Sequence, residues 1–282
     1  MKYAKNRLLL VDGSNLLFQM FFGMPARIFN AQGKPIQGTL GFTGALLKIL
    51  RQTQPTHVAV FFDSQQKNPR TILSADYKAN RIDYSQAEEN PFSQLNDIYA
   101  ALDFLGISYT EAAGCEADDL IASYVAALNQ TECIISSLDS DFFQLITKTV
   151  SVLRYRGKNT VLCTPEYITQ KFGISAKQYV DFKALTGDVS DNIKGADKIG
   201  PKTAARLLHE FGTLENLLLH AEKIKQTAIK TSVLKNTERL KINYKLIQLN
   251  DSIPLPFPLS TLAYKDAGYT TTEVLKGIGL KE

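Results

Sequence analysis

The stretch LLLVDGS, residues 8–14, decides the class of fold. Its four apolar residues are uninterrupted and lead directly into an Asp-Gly-Ser turn, which is typical of a strand buried on both faces. The pattern recurs in HVAVFFD at 57–63 and CIISSLD at 133–139. Strands of this kind form mostly parallel sheets covered by helices on both sides, so the sequence predicts an α/β fold.

The rest of the chain divides into two parts. Apolar residues at helical spacing predict helices over 39–51, 93–105 and 120–128, and short strands are expected at 107–110, 150–155 and 161–163. From residue 165 the pattern is that of short helices. We therefore predict an α/β domain over 1–164 and a helical subdomain over 165–282 that packs on it.

Composition narrows the possible functions only slightly. The chain has 282 residues, 44% hydrophobic content and a net charge of +4, which permits a nucleic-acid partner without requiring one. Cys115, Cys133 and Cys163 are scattered and no Cys-x-x-Cys or His-x-x-x-His spacing occurs, which argues against structural zinc and fits a reducing cytoplasm. The first apolar run is too short for a signal peptide or a membrane helix, so a soluble cytoplasmic protein is expected.

Acidic residues recur where the buried strands end. Asp12, Asp63 and Asp139 each follow such a strand, and the carboxyl ends of parallel strands meet at one edge of a sheet. In GCEADDLIASYVAAL, residues 114–128, Glu116 and Asp119 are three apart and share one helix face if the helix has begun, with Asp118 close by but pointing elsewhere. Any one of these acids could be an ordinary turn or cap residue. Together they would repel one another without a cation, and their oxygen atoms suit Mg²⁺ or Mn²⁺.

A second acidic pair precedes a basic turn. Asp188 and Asp191 lie in ALTGDVSDNIKG, where a plain polar turn is the alternative. The next segment, GADKIGPKTAARLL, resembles the hairpin of helix-hairpin-helix modules, which hold the DNA backbone without reading bases. Its alternative is a packing corner with a cationic surface, and it lacks the Gly-x-x-x-x-Gly-Lys order of a nucleotide-binding loop. The candidate DNA-binding residues of this hairpin are Gly195, Gly200, Lys202 and Thr203.

Residues 64–92 form a long polar segment with few positions of core periodicity. Segments of this kind in a compact domain are usually functional. This one combines Lys78 and Arg81 with Tyr77 and Tyr84, a composition that suits single-stranded nucleic acid stacking on aromatic rings. A solvated surface loop is the alternative. The side chain of Lys78 is expected to lie in solvent.

Seven motifs in this order resemble the 5′-nuclease family, which includes the N-terminal domain of bacterial DNA polymerase I and stand-alone flap endonucleases. The motifs cover most of the chain, from about residue 8 to about residue 254, and they are VDGSN, FFD, YKANR, CEADD, LDSDFFQL, TGDVSDN and KIGPKTAARLL. The resemblance implies a helical arch over 64–92 and a helix-hairpin-helix at about 185–218. Nothing after residue 255 resembles a polymerase, so a stand-alone nuclease is expected.

The resemblance also assigns roles to residues. It implies a first acidic group of Asp12, Asp63, Glu116 and Asp118, with Asp119 nearby or in an outer position. It implies a second acidic group of Asp139, Asp141, Asp188 and Asp191, reached partly through water. Lys78 and Arg81 match cations that contact the scissile phosphate, and Asp118 and Asp139 are the acids expected to matter most for turnover. The hairpin from Gly195 to Thr203 matches the turn that binds duplex DNA, where a monovalent cation such as K⁺ sits.

One position departs from the family pattern. Several members place an arginine in the helix after the first metal-binding Asp, whereas this chain has Gln19. Arg27 is a candidate substitute.

The implied activity is hydrolysis of DNA phosphodiester bonds near 5′ ends or flaps by a two-metal mechanism in replication and repair, by a monomer. Two other functions fit parts of the pattern. One is a non-catalytic protein that binds branched DNA, and the other is an Mg²⁺-dependent phosphatase acting on a small substrate. The phosphatase alternative lacks the usual second Asp two positions after Asp12 and leaves the hairpin without a purpose.

Overall fold

The computed structural model describes residues 6–24, 26–64, 74, 76–80, 90–128 and 131–282. Its central sheet has six strands in the order β3-β2-β1-β4-β5-β6, parallel except for the antiparallel edge strand β6. The strands are β1 Arg7–Asp12, β2 His57–Asp63, β3 Ser108–Ala112, β4 Glu132–Ser136, β5 Val150–Arg154 and β6 Val161–Cys163. The mostly parallel sheet predicted from the sequence is therefore confirmed.

Helices cover both faces of the sheet because alternate strand residues point to opposite sides. In β1, Leu9 and Val11 pack in one core cluster, and Leu8 and Leu10 pack in the other. The first cluster is covered by the helices nearest the amino terminus and by the last helix of the chain, and the second by the helix at 117–127 and the helices between residues 165 and 247. The helices of this α/β part are α1 Gly13–Gly23, α2 Gln37–Thr53, α3 Leu95–Phe104 and α4 Ala117–Ala127.

The carboxyl-terminal part is helical, as predicted. A two-residue strand pair, β7 Gly187–Asp188 with β8 Ile193–Lys194, interrupts the helices. Apolar residues of this part belong to the same core cluster as one face of the sheet. The division at residue 165 falls at the start of α5 and stays a prediction. The helices are α5 Pro165–Phe172, α6 Tyr179–Thr186, α7 Pro201–Phe211, α8 Leu214–Leu219, α9 Thr227–Lys235, α10 Thr237–Ile247 and α11 Thr271–Gly277.

Two glycines let the β7–β8 pair fold tightly. Gly187 has a φ of +80°, and a Cβ there would lie 2.5 Å from the backbone nitrogen of Gly195. A Cβ on Gly195 would lie 2.4 Å from the carbonyl carbon of Thr186. Contacts this close leave no room for any side chain, so both glycines hold the loop that carries Asp188 and Asp191.

The state of the cysteines and the character of the helices can be compared with what the sequence predicts. Cys133 and Cys163 are buried, Cys115 is half-buried, and all three are free thiols. Across the ranges described above, no helix has both the length and the apolar character needed to cross a membrane.

Candidate metal and DNA-binding site

The acids of the first group converge because three parallel strands end together. Asp12 closes β1 and pairs in register with Phe61 of β2, two residues before Asp63. On the other side Val11 pairs with Ser136 of β4, three residues before Asp139. The carboxyl edge of the sheet therefore gathers acids that are far apart in sequence.

A hydroxyl group fixes the orientation of Asp12. One carboxylate oxygen of Asp12 accepts a hydrogen bond from Asn15 N at 3.0 Å and so caps α1. The other accepts from Ser137 Oγ at 2.7 Å, and the same Oγ accepts from Asp139 N at 3.0 Å. Ser137 thus couples the ends of β1 and β4 through a single buried atom.

The three acids at the start of α4, which are Glu116, Asp118 and Asp119, have different surroundings. Ala117, the first residue of the helix, donates its backbone N–H to Asp63 Oδ1 at 2.9 Å. Asp118 faces Asp12, Asp139 and Asp63, each of which repels its charge. Asp119 instead accepts a hydrogen bond from Asn250 N at 2.9 Å.

The shared face expected for Glu116 and Asp119 depended on a helix that had already begun at Glu116, and α4 begins at Ala117. Glu116 is the N-cap of α4 and has an extended backbone, with φ −90° and ψ 153°. Helical spacing does not apply to a residue that lies outside the helix. Asp118, which the spacing had directed elsewhere, is close enough to Asp12 and Asp139 for their charges to raise its pKa.

Burial and mutual repulsion make the first group unfavourable as free anions. Burial, followed by the charge of Asp63, raises the pKa of Asp12 to about 7 even though two donors stabilise its ionised form. Burial and the charges of Asp12, Asp139 and Asp63 raise the pKa of Asp118 well above its usual range. A cation among these oxygens would relieve both costs.

The second group forms a compact set of oxygen atoms. One carboxylate oxygen from each of Asp141, Asp188 and Asp191 lies within 4.8 Å of the others. Asp139 links the two groups, because its Oδ1 accepts from Asp141 N at 2.8 Å and its charge acts on both Asp118 and Asp141. Burial raises the pKa of Asp141 to about 6.

These residues fit a divalent metal. The candidate ligand atoms are all carboxylate oxygens, which Mg²⁺ and Mn²⁺ prefer over the nitrogen and sulfur donors typical of zinc. A cationic group already stands among them, since Lys183 Nζ lies 2.6 Å from Asp141 Oδ1 and also pairs with Asp188. The position therefore accommodates positive charge.

Lys78 lies against the acids and is not free in solvent. Its side chain is 15% exposed and forms an ion pair with Glu116, and its backbone N–H donates to Asp191 O at 3.0 Å. Neighbouring contacts join the same segment to the β7–β8 loop, from Asn80 Nδ2 to Val189 O and from Asn192 Nδ2 to Asp76 O.

The structure describes residues 64, 74, 76–80 and 90–92 of segment 64–92. Arg81, Tyr84 and most of the predicted arch lie outside the described residues. Tyr77 is described, and the expectation that its ring stacks on a nucleobase is wrong for this conformation. Its side chain is 4% exposed and belongs to the core cluster beneath α4. Aromatic character alone could not distinguish a stacking surface from a core residue.

The predicted hairpin runs from β8 to the start of α7. Gly200 is the N-cap of α7, Pro201 is its first residue, Lys202 is exposed and Thr203 is half-buried. Side chains from the helices behind hold the backbone of the hairpin, since Arg239 donates to Gly195 O at 3.0 Å and Asn243 to Lys194 O at 2.9 Å. The N-terminus of α7 and the side chain of Lys202 are therefore both exposed at the hairpin.

Three residues of the site were not found by sequence reasoning. Ser137 and Asn15 orient the acids, and Asn15 Oδ1 accepts from Leu138 N at 2.9 Å. Lys183 pairs with the second group. A usable signal existed only for Lys183, which interrupts the apolar run of VDFKAL.

Gln19, the position at which the resemblance led us to expect an arginine, has a structural role. Its Nε2 donates to Tyr155 O at 2.7 Å, which fastens α1 to the end of β5. Arg27 is exposed.

The metal-free protein is expected to lose stability as pH rises from about 4 to about 7. Asp12 and Asp141 have raised pKa values in the folded state, so folding retains their protons and is favoured at low pH. This contribution disappears as pH passes through about 6 to 7. Thermal unfolding in EDTA across this range should show a falling Tm, and saturating Mn²⁺ should remove the fall. A flat profile in EDTA would mean that the pKa values of Asp12 and Asp141 are not raised in the folded protein.

Replacing Ser137 with Ala is expected to weaken Mn²⁺ binding about 10-fold, because outer hydrogen-bond partners orient metal-ligating carboxylates. Isothermal titration calorimetry measures this directly. Ser137→Thr keeps the hydroxyl and is expected to restore most of the affinity. Equal affinities for the Ala and Thr variants would show that the bond from Ser137 to Asp12 is irrelevant to the metal.

Comparison with known proteins places this fold in a defined class. The T5 D15 protein co-crystallised with metal ions superimposes with a TM-score of 0.72 at 21% identity, covering 87% of this chain and 90% of that one. The catalytic core of Rad2 in complex with DNA substrate gives a TM-score of 0.58 at 17% identity, covering 97% and 93%. At these identities the likeness concerns the fold, which is that of the 5′-exonuclease structures.

Sequence comparison then gives the family. Residues 7–173 match the model of the 5′-3′ exonuclease N-terminal resolvase-like domain, and residues 174–269 match that of the 5′-3′ exonuclease C-terminal SAM fold. The chain belongs to the 5′-3′ exonuclease family, which confirms the resemblance drawn from the motifs.

The curated relatives are longer proteins. Thermostable DNA polymerase I of Thermus thermophilus is 36% identical over 258 residues, which are 91% of this chain and 30% of that protein. DNA polymerase I of Deinococcus radiodurans is 35% identical over 277 residues, 97% of this chain and 28% of that protein. The chain thus spans less than a third of the length of these relatives.

Proposed function

We propose that this chain is a structure-specific 5′ nuclease that hydrolyses DNA phosphodiester bonds near 5′ ends and flaps, using Mg²⁺ for which Mn²⁺ can substitute. The observation that carries the proposal is the convergence of two acidic groups, linked through Asp139, at the carboxyl edge of the sheet. Family membership supports the same reading.

The negative charge that develops at the phosphate during hydrolysis explains why acids that hold divalent ions would be useful at this site. Attack of water on the phosphorus adds negative charge at a place where carboxylates already repel one another. Divalent ions held by the two groups would activate the attacking water and neutralise the leaving oxygen. Asp12, Asp63, Glu116 and Asp118 would hold one ion, and Asp139, Asp141, Asp188 and Asp191 the other.

Cationic side chains would then position the phosphate. Lys78 lies beside both groups and would exchange its ion pair with Glu116 for a charge-assisted hydrogen bond to a phosphate oxygen. Arg81 is proposed to clamp the same phosphate through its planar guanidinium. Neither contact reads a base, so cleavage would follow the shape of the substrate.

The helical part would hold the duplex. The α7 N-terminus and Lys202 would contact the DNA backbone, with K⁺ at the hairpin, while the single-stranded 5′ arm passes the segment 64–92. Binding is therefore expected to weaken as salt concentration rises. We further propose that the protein acts as a monomer in the cytoplasm, which the three free thiols support.

A product-length gel on a 5′-labelled flap oligonucleotide tests the proposal. Short labelled products should appear with Mg²⁺ or Mn²⁺ and disappear with EDTA, while a blunt duplex of the same sequence is cut more slowly. Binding of the flap substrate without any cleavage in either metal would instead support a non-catalytic protein for branched DNA. Release of phosphate from small phosphomonoesters would support the phosphatase alternative.

A further inference from the structure

Lys183 is a buried cation at the centre of the second acidic group. It lies in the middle of α6, and its side chain is only 8% exposed. Its Nζ lies 2.6 Å from Asp141 Oδ1 and 3.3 Å from Ser140 Oγ, and it also forms an ion pair with Asp188. The ammonium therefore contacts two of the three carboxylates whose oxygens are close enough to hold one metal ion.

Burial of this lysine is tolerable only because of those partners. Moving an ammonium out of water costs several kcal/mol unless anions and hydrogen-bond acceptors compensate. Asp141, Asp188 and the Ser140 hydroxyl supply the three acceptors that an ammonium requires. Burial alone would lower the pKa of Lys183, but the charge of Asp141 raises it above its usual range, so the side chain is charged.

The first acidic group has a different arrangement. Lys78 pairs with one acid of this group, Glu116, and the charge of Lys78 also acts on Asp118. Among the described residues, no ion pair is formed by the other three acids of the first group, which are Asp12, Asp63 and Asp118. Lys78 thus pairs with one acid of the first group, whereas Lys183 pairs with two of the three acids whose oxygens form the compact set of the second group.

We propose that Lys183 is a built-in counter-ion that a metal must displace from the second acidic group, so that the two metal positions fill in order. A divalent ion and the ammonium cannot both use the facing oxygens of Asp141 and Asp188. The first group therefore binds metal more tightly and fills first, and the second fills at higher concentration. This inference rests on the proposed function, because it takes both groups to be metal sites.

The same contact has a consequence for stability. Without metal, Lys183 neutralises charge that would otherwise be buried within the second group. Removing the ammonium should therefore destabilise the metal-free protein while making the second position a better metal site. A purely structural lysine would show the loss of stability without any gain in metal affinity.

Calorimetric titration of the DNA-free protein with Mn²⁺ separates these outcomes. The wild type is expected to show one tight and one weak class of site. Lys183→Met and Lys183→Gln should each strengthen the weak class about 10-fold or more and leave the tight class within about twofold. Lys183→Arg, which retains the charge, should keep the weak class weak. Lys241→Met removes an exposed lysine that pairs with Glu238, and it should change neither class.

Two further measurements keep the test independent of how well a single variant folds. Asp118→Asn should abolish the tight class, and Asp188→Asn should abolish the weak one. In EDTA the Tm of Lys183→Gln should lie below that of the wild type, and Mn²⁺ should raise the Tm of this variant by more than it raises the Tm of the wild type.

The results that would overturn the inference differ from those that would overturn the proposed function. Two equal sites in the wild type, or an unchanged weak class in both neutral variants, would refute the role of Lys183 alone. Absence of any Mn²⁺ binding to the folded wild type would refute the metal-dependent function itself.

Discussion

Replacing Asp118 with Asn is expected to reduce single-turnover cleavage of a 5′-flap substrate by at least about 10³-fold, equivalent to about 4 kcal/mol of barrier. Asp118 faces Asp12, Asp63 and Asp139, so its loss removes a charged ligand from the centre of the first group. Asparagine retains the shape of the side chain, and the fold should therefore be preserved. Flap binding measured by fluorescence anisotropy in EDTA should change little.

The adjacent acid is the matched control. Asp119 accepts a backbone hydrogen bond from Asn250, so Asp119→Asn should lower Tm and reduce the cleavage rate by less than about 10-fold. The two variants differ by one position in the same helical turn and remove the same charge. If both lost turnover equally, or if Asp118→Asn kept near-normal turnover in Mg²⁺, the assignment of the first group would be wrong.

Replacing Lys78 with Met is expected to reduce the rate of cleavage about 10²-fold, because a charge-assisted contact to the scissile phosphate is lost. The apolar stem of methionine preserves packing near the ring of Tyr77, whose centroid lies 4.9 Å from Lys78 Nζ. Single-turnover kinetics at saturating enzyme measure the effect without a contribution from binding.

The same variant should behave differently with and without metal. In EDTA, loss of the ion pair leaves Glu116 buried beside other acids, so the Tm should fall. In Mg²⁺ the loss should be much smaller, because a bound ion supplies the missing positive charge. Normal turnover, or an equal loss of Tm in both conditions, would contradict the placement of Lys78 between phosphate and acids.

The sequence alone determined the sheet and placed Asp12, Asp63 and Asp139 at its edge, and the resemblance of its motifs determined the family. Continuous apolar runs such as Leu8–Val11 can be satisfied only by strands covered on both faces, and an Asp directly after such a run must lie at the carboxyl edge. These inferences are local, because they depend on the residues within a single element and on the rule that parallel strands share an orientation.

Tertiary structure alone decided the direction and pairing of the side chains. Asp118 rather than Asp119 points to the other acids because α4 begins at Ala117, and that start is fixed by a hydrogen bond to Asp63, which is 54 residues earlier in the chain. The side chain of Tyr77 packs in a core cluster, and Lys183 of α6 forms an ion pair with Asp141. Each of these contacts depends on which residues from distant parts of the chain lie close by in the folded protein. The spacing of residues along one segment does not contain this information.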